Sequence, residues 1–75
     1  MSWQDRIAVD PGVMGGKPVI AGTRVPMQVI VGSLAGGDTI EEVCAGYGVT
    51  EEDVRAALAY AAEVLGQERL HALPG

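Results

Sequence analysis

Few of the residue types that build disulfides, metal sites or catalytic centres occur in this chain. It has one cysteine (Cys44), one histidine (His71) and no phenylalanine. A single cysteine cannot form an internal disulfide, and a lone histidine supplies neither a catalytic triad nor a histidine-rich metal site. Cys44 lies between apolar residues and is expected to be an inert core thiol. The sequence therefore predicts no enzyme activity, no cofactor, no metal ion and no small-molecule substrate.

Long hydrophobic runs are also missing. No run approaches the roughly 18 residues that a membrane-spanning helix requires, and the first six residues lack the charged and apolar regions of a signal peptide. We therefore expect a cytoplasmic protein with no membrane association. Its 75 residues suffice for one small domain, so residues 1–75 are treated as a single unit.

Positive charge is scarce and unevenly distributed. The chain has five Lys and Arg residues against ten Asp and Glu residues, a net charge of −5. Residues 1–37 contain three cations and two acids, whereas residues 38–75 contain two cations and eight acids. An acidic chain can bind nucleic acid only through a local basic surface, because phosphate contacts need Lys or Arg. The candidate residues for such a surface are Arg6, Lys17, Arg24 and Arg55.

Glycine and proline divide the segment 6–25 into short pieces rich in β-branched residues. Residues 6–9 and 18–25 have strand character, and Asp10-Pro11-Gly12 and Gly15-Gly16 are typical turn sequences. We therefore expect short N-terminal β-strands or a hairpin. Because one or two isolated strands are unstable in water, they must pack on other elements or on a second copy.

From Pro26 onward the apolar spacing becomes helical. Met27, Ile30, Val31 and Leu34 follow the i, i+3, i+4, i+7 rule, and Gly36-Gly37 suits a helix end. A strand remains the alternative over the β-branched run 29–31. The sequence predicts a three-helix bundle over residues 26–66, and a flexible tail over residues 67–75.

The second and third helices have clear start signals and a very short connection. Thr39 with Glu42 forms a capping box, and Thr50 opens the third helix. Gly48 suits a turn with positive φ, and Val49 suits a buried turn residue. This pattern predicts a helix-turn-helix at about residues 39–66, with a plain helical hairpin as the alternative. Val54, Ala57 and Leu58 are expected to face the core.

The third helix has an unusual distribution of charge and apolar residues. It begins with three acids, Glu51, Glu52 and Asp53, where helix-turn-helix proteins contact base edges, so only Arg55 could donate to guanine. Residues 56–62 are apolar around the whole circumference, which predicts cover on more than one side and hence a homodimer or another partner. The alternative is that alanine is simply a good helix former. The candidate interface residues are Val19, Ile20, Tyr60 and Val64.

The run Gly16-Lys17-Pro18-Val19-Ile20-Ala21-Gly22-Thr23-Arg24 resembles the signature of the DUF433 family of small prokaryotic proteins. Gly37-Asp38-Thr39-Ile40-Glu41-Glu42-Val43 and residues 56–61 resemble later parts of that family, and the resemblance extends over about residues 6–65. The chain departs from the family at Gly46-Tyr47-Gly48-Val49, where members often have Tyr-Pro.

The resemblance implies a mainly α fold, a three-helix homeodomain-like or winged helix-turn-helix bundle with short N-terminal strands. It also implies a VapB-like antitoxin that neutralises a PIN-like ribonuclease toxin by direct binding and autoregulates its operon by binding operator DNA. Two alternatives stay open, a stand-alone DNA-binding transcription regulator and a structural adaptor. Lys17 and Arg24 are either functional cations, doubled in a dimer, or structural residues that hold the hairpin on the bundle.

Overall fold

The computed structural model describes residues 2–67 as a helical bundle preceded by a small hairpin. The elements are a 3₁₀ turn (Trp3–Arg6), β1 (Ile7–Ala8), a second 3₁₀ turn (Met14–Gly16), β2 (Val19–Ile20), α1 (Met27–Ala35), α2 (Ile40–Tyr47) and α3 (Glu51–Gln67). This confirms the predicted mainly α fold with three helices and short N-terminal strands. Of the predicted tail, residues 67–75, the first residue is the last residue of α3. Residues 68–75 lie outside the described residues. None of the helices described here has the length and hydrophobicity that crossing a membrane requires.

The two strands form an antiparallel pair whose connection contains a left-handed turn. Ile7 lies opposite Ile20 and Ala8 opposite Val19. In the connection, Met14, Gly15 and Gly16 have φ angles of 51°, 67° and 84°. Such angles strain residues with a Cβ atom, so glycine fits at the last two positions. The strands are shorter than the predicted segments because a turn closely follows each of them. The turn after β2 is fixed by the Thr23 hydroxyl, which donates to the Ile20 carbonyl at 2.7 Å.

The strand residues Val19 and Ile20 are buried inside the chain. Each is 2% exposed, although consecutive strand residues point to opposite faces of a sheet. Cover is therefore present on both faces of β2. This corrects the expectation that Val19 and Ile20 contribute to a partner interface, because side chains already buried within the chain offer no area to a partner.

The helix-turn-helix is held at both helix starts by reciprocal capping. Thr39 Oγ1 accepts from the Glu42 N–H at 3.1 Å, and Glu42 Oε1 accepts from the Thr39 N–H at 2.8 Å. Thr50 and Asp53 repeat this arrangement at 3.1 and 3.0 Å. Between the helices Gly48 has φ 67° and ends α2 in the left-handed conformation. The predicted Thr39–Glu42 capping box, the start of α3 after Thr50 and the turn at Gly48 are therefore confirmed. The reciprocal Thr50–Asp53 cap is an addition that the sequence analysis did not predict.

The core lies where α1, α2, α3 and β2 meet. Its buried residues are Ile20, Met27, Ile30, Val43, Val49, Val54 and Ala57, and Cys44 packs against them half-buried. The expectation that Leu58 belongs to this core is wrong, because its side chain is 41% exposed. Successive helix residues are about 100° apart around the axis, so Leu58 turns away from the face on which Ala57 is buried.

The N-terminal 3₁₀ turn packs along α3 and covers its second side. Arg6 Nη1 lies 3.0 Å from Asp53 Oδ1. Trp3 meets Tyr60 edge to face, with ring centroids 6.5 Å apart and planes at 81°, a favoured aromatic geometry. Ala56 is fully buried. The cover that the apolar circumference of α3 requires is thus supplied, on this side, by the chain's own N-terminus.

The exposure of Leu58 gives a direct test of the core assignment. Ile30→Ala should lower the free energy of unfolding by about 2–5 kcal/mol, the range for truncating a fully buried aliphatic side chain. Leu58→Ala should lower it by about 1 kcal/mol or less, because a partly exposed helix position loses little burial and gains helix propensity. Urea denaturation followed by circular dichroism measures both losses. If Ile30→Ala does not fold, Ile30→Val replaces it, with an expected loss of about 0.5–1.5 kcal/mol in the free energy of unfolding. Equal losses at positions 30 and 58 would contradict the assignment.

The Arg6–Asp53 pair should make stability depend on pH. Burial alone would raise the pKa of the Asp53 carboxyl, but hydrogen bonds from Thr50 and Arg6 and the positive charge of Arg6 outweigh it, and the pKa is lowered. The stabilisation is then complete above the ordinary aspartate pKa of about 3.9 and is lost as pH falls through the folded-state value. We expect Asp53→Asn to lower the free energy of unfolding by about 1 kcal/mol at pH 7, with the difference from the original chain closing in acid.

Glu52→Gln is the matched control for this measurement. Glu52 is exposed and forms no ion pair with the residues described here, so its neutralisation should leave the pH profile of unfolding unchanged. A profile for Asp53→Asn that runs parallel to that of the original chain from pH 7 to pH 3 would contradict the role given to Asp53.

Candidate functional site

Within residues 2–67 no group of three or more His, Cys, Asp or Glu side chains is arranged to hold a metal ion. Cys44 is half-buried against the core, and His71 lies outside the described residues. The described part of the chain also presents exposed charged and apolar surfaces. Four of them are distinct: the start of α3, the loops beside β2, the acidic segment and an apolar groove.

At the start of α3, the arginine side chains that could contact phosphate or bases are paired with acidic side chains. Arg55 Nη2 donates to Glu51 Oε1 at 2.6 Å, one helical turn away. Arg6 is paired with Asp53. Arg6 and Arg55 line the same shallow depression of about 290 Å³, together with Glu52. Two arginines beside three acids leave this end of the helix without net positive charge, which disfavours phosphate.

Lys17 and Arg24 lie on the loops before and after β2. Both side chains are exposed, and neither forms a hydrogen bond or ion pair with another of residues 2–67. Lys17 borders an apolar groove between α1 and α3, whereas Arg6 lines the depression at the start of α3. The structure thus places Arg6 at a different site from Lys17. The contacts of Lys17 and Arg24 therefore give no support to a structural role in which these two residues hold the hairpin on the helical bundle.

The acidic segment, residues 38–53, runs through the helix-turn-helix. It contains six acids and no Lys, Arg or His. Asp53 and Glu51 are neutralised by Arg6 and Arg55, while the other four have no ion pair within residues 2–67. Hydrogen bonds from the Thr39 backbone and side chain lower the pKa of the Glu42 carboxyl, so it stays ionised. The four acids without an ion pair are Asp38, Glu41, Glu42 and Glu52.

An open apolar groove of about 490 Å³ lies between α1 and the C-terminal half of α3. Met27 and Val31 contribute from α1, and Tyr60, Val64 and Leu65 contribute from α3. The structure therefore brings together two residues that the sequence assigned to a partner surface, Tyr60 and Val64.

Sequence reasoning missed Leu65 and Trp3 as members of these surfaces. The i, i+3, i+4, i+7, i+8 spacing of residues 57, 60, 61, 64 and 65 carries the signal for Leu65. Trp3 had no comparable signal, because its packing on α3 depends on a contact between distant parts of the chain.

Solved structures share both the fold and part of the sequence. A DUF433 member protein from Anabaena variabilis superposes with a TM-score of 0.77 at 37% identity, covering 85% of this chain and 64% of that one. Rv2018 from Mycobacterium tuberculosis superposes with a TM-score of 0.67 at 35% identity, covering 75% of this chain and 27% of that one.

Sequence comparison agrees with these structures. The uncharacterized protein y4eO from Sinorhizobium fredii is 34% identical over 56 residues, which make up 73% of this chain and 25% of y4eO. The chain thus spans about a quarter of the length of y4eO and of Rv2018. The family described as "Protein of unknown function (DUF433)" matches residues 7–61. This match covers most of the chain, including the hairpin, α1, α2 and the first part of α3, and the chain therefore belongs to the DUF433 family.

Proposed function

We propose that this chain is an antitoxin-like protein that neutralises a PIN-like ribonuclease by direct binding through the acidic segment 38–53. The observation that carries the proposal is the concentration of six acids without a cation in sixteen consecutive residues. A ribonuclease must present cations to the RNA phosphates, and the same cations attract carboxylates. Opposite charges on two surfaces speed association and select the partner.

The helix caps support this function because they fix the acidic segment before binding. The Thr39–Glu42 and Thr50–Asp53 pairs hold both helix starts through backbone and side-chain hydrogen bonds. A surface that is ordered before binding loses less conformational entropy on association. Asp38, Glu41 and Glu52 are exposed around these fixed positions, so their charges are available to a basic partner.

The helix-turn-helix favours DNA binding as a second candidate function, either autoregulation of the operon or stand-alone transcription regulation. Two helices joined by a short turn, here with a capped start and a left-handed Gly48, are elements that DNA-binding helix-turn-helix motifs also contain. The acids at the start of α3 oppose base contacts there, so Lys17 and Arg24 would have to carry the phosphate contacts. A chain that binds neither ribonuclease nor DNA would be a structural adaptor.

Gene order is the first test that separates these functions. An antitoxin requires a small PIN-like reading frame beside its gene, whereas a stand-alone regulator or an adaptor does not. The neighbouring ribonuclease, purified alone, is then the binding partner for the experiment that follows.

Charge reversal within the acidic segment should weaken binding to that ribonuclease. We expect Glu52→Lys to lower the association rate constant about tenfold at low salt, because electrostatic steering depends on the local potential. Glu63→Lys is the matched control, since Glu63 is an exposed acid of the same helix outside the acidic segment. Stopped-flow or surface plasmon resonance at several salt concentrations measures the effect. Equal effects of the two variants, or no binding by the original chain, would contradict the proposal.

DNA binding, if present, should depend on Lys17 and Arg24. The double variant Lys17→Ala/Arg24→Ala should weaken binding to the region upstream of the gene and reduce the salt slope by close to one unit for each lost phosphate contact. Replacing Glu51 and Glu52 by Gln should leave binding unchanged or tighten it. Fluorescence anisotropy at several salt concentrations measures this, with thermal melts showing that each variant is folded. Loss of binding in Arg55→Ala alone, with the double variant unaffected, would show that α3 reads the DNA instead.

A further inference from the structure

We infer that the apolar groove between α1 and α3 is the surface through which two copies of this chain pair. The C-terminal end of α3 in each copy lies in the groove of the other. This surface is separate from the acidic segment, and the inference does not depend on the proposed function.

The first argument is that α3 extends well beyond the helix that supports it. With 17 residues against 9 in α1, α3 is about 25 Å long and α1 about 13 Å, at a rise of 1.5 Å per residue. The last buried residue of α3 is Ala57, and none of residues 58–67 is buried. Residues 59–61 are half-buried, and Tyr60 packs against the core. Residues 62–67, nearly two helical turns, are exposed, and helical turns without tertiary contacts are marginal in water.

The second argument is that the same face holds both a groove and the side chains that could fill it. Leu65 is 63% exposed and Val64 is 38% exposed, and both line the groove together with Met27 and Val31. A two-fold rotation would bring the protruding side chains of each copy against the groove of the other. Each copy then inserts its Leu65 into its partner and receives the equivalent side chain, as an isologous dimer interface requires.

The third argument is electrostatic and selects this face over others for a second copy. Two chains of net charge −5 repel each other, and a contact that brought their acidic segments together would add to that repulsion. Among residues 2–67, the lining of the groove contains no Asp or Glu, and Lys17 is the one charged residue there. Glu63 lies about 130° around α3 from the centre of the stripe formed by residues 57, 60, 61, 64 and 65, given 100° per residue. Pairing through the groove therefore places none of the acids of residues 2–67 in its lining.

Analytical ultracentrifugation of the full chain and two variants tests the inference. Between about 1 and 200 µM, the range over which a contact of modest size forms, the original chain should pass from its monomer mass of 7.8 kDa toward twice that value. Leu65→Glu should raise the dimer dissociation constant by at least about 30-fold, because it places a carboxylate in an apolar contact. Leu58→Glu makes the same chemical change on the same helix outside the groove, and it should leave the constant within about threefold.

Circular dichroism must show that each variant is folded. If Leu65→Glu is unfolded, Ala61→Glu replaces it, because Ala61 also lines the groove. A chain that stays at 7.8 kDa over the whole range would overturn the inference, whether the groove is filled by residues 68–75 or by another protein. A dimer that Leu65→Glu and Ala61→Glu leave intact, or that Leu58→Glu disrupts equally, would overturn it as well.

Discussion

The carboxylate of Asp53 is the point at which three parts of this small fold are joined. One oxygen accepts from the Thr50 N–H and closes the cap of α3, while the other pairs with Arg6. The first contact fixes the end of the helix-turn-helix turn, and the second anchors the N-terminal 3₁₀ turn along α3. A domain of 75 residues has a limited core, so an interaction that fixes a turn, a helix start and a terminal segment together has a large share in maintaining the arrangement.

The features that sequence alone predicted are those determined by residues close together in the chain. The Thr39–Glu42 capping box and the helix start at Thr50 are each indicated by residues within one helical turn, and Gly48 indicates its turn because its φ angle favours glycine. The helical spacing of apolar residues after Pro26 likewise predicted α1 correctly, although the β-branched residues 29–31 favour a strand. These local rules were sufficient for the helices, for the helix-turn-helix and for the existence of the hairpin.

The errors arose where contacts join distant residues. Leu58 differs from Ala57 by one position, and only the direction from which α1 approaches α3 decides which of them is buried. The burial of β2 on both faces depends on the packing of the whole hairpin, and the sequence shows only that Val19 and Ile20 are apolar. Arg6 and Asp53 are 47 residues apart, so the cover that the N-terminus gives α3 could not be read from spacing. The all-round apolar character of α3 correctly indicated packing on more than one side, and the N-terminal turn of the same chain covers the second side.

The contact between Trp3 and Tyr60 also gives the molecule an internal optical reporter. Trp3 is the single tryptophan of the chain, so its emission on excitation near 295 nm arises from one known place. Tyr60 packs edge-on against that indole and at the same time lines the apolar groove. Any molecule that enters the groove and shifts Tyr60 alters the surroundings of the one emitting indole. Occupancy of the groove can therefore be followed in the unlabelled protein by the intensity and wavelength of its intrinsic fluorescence.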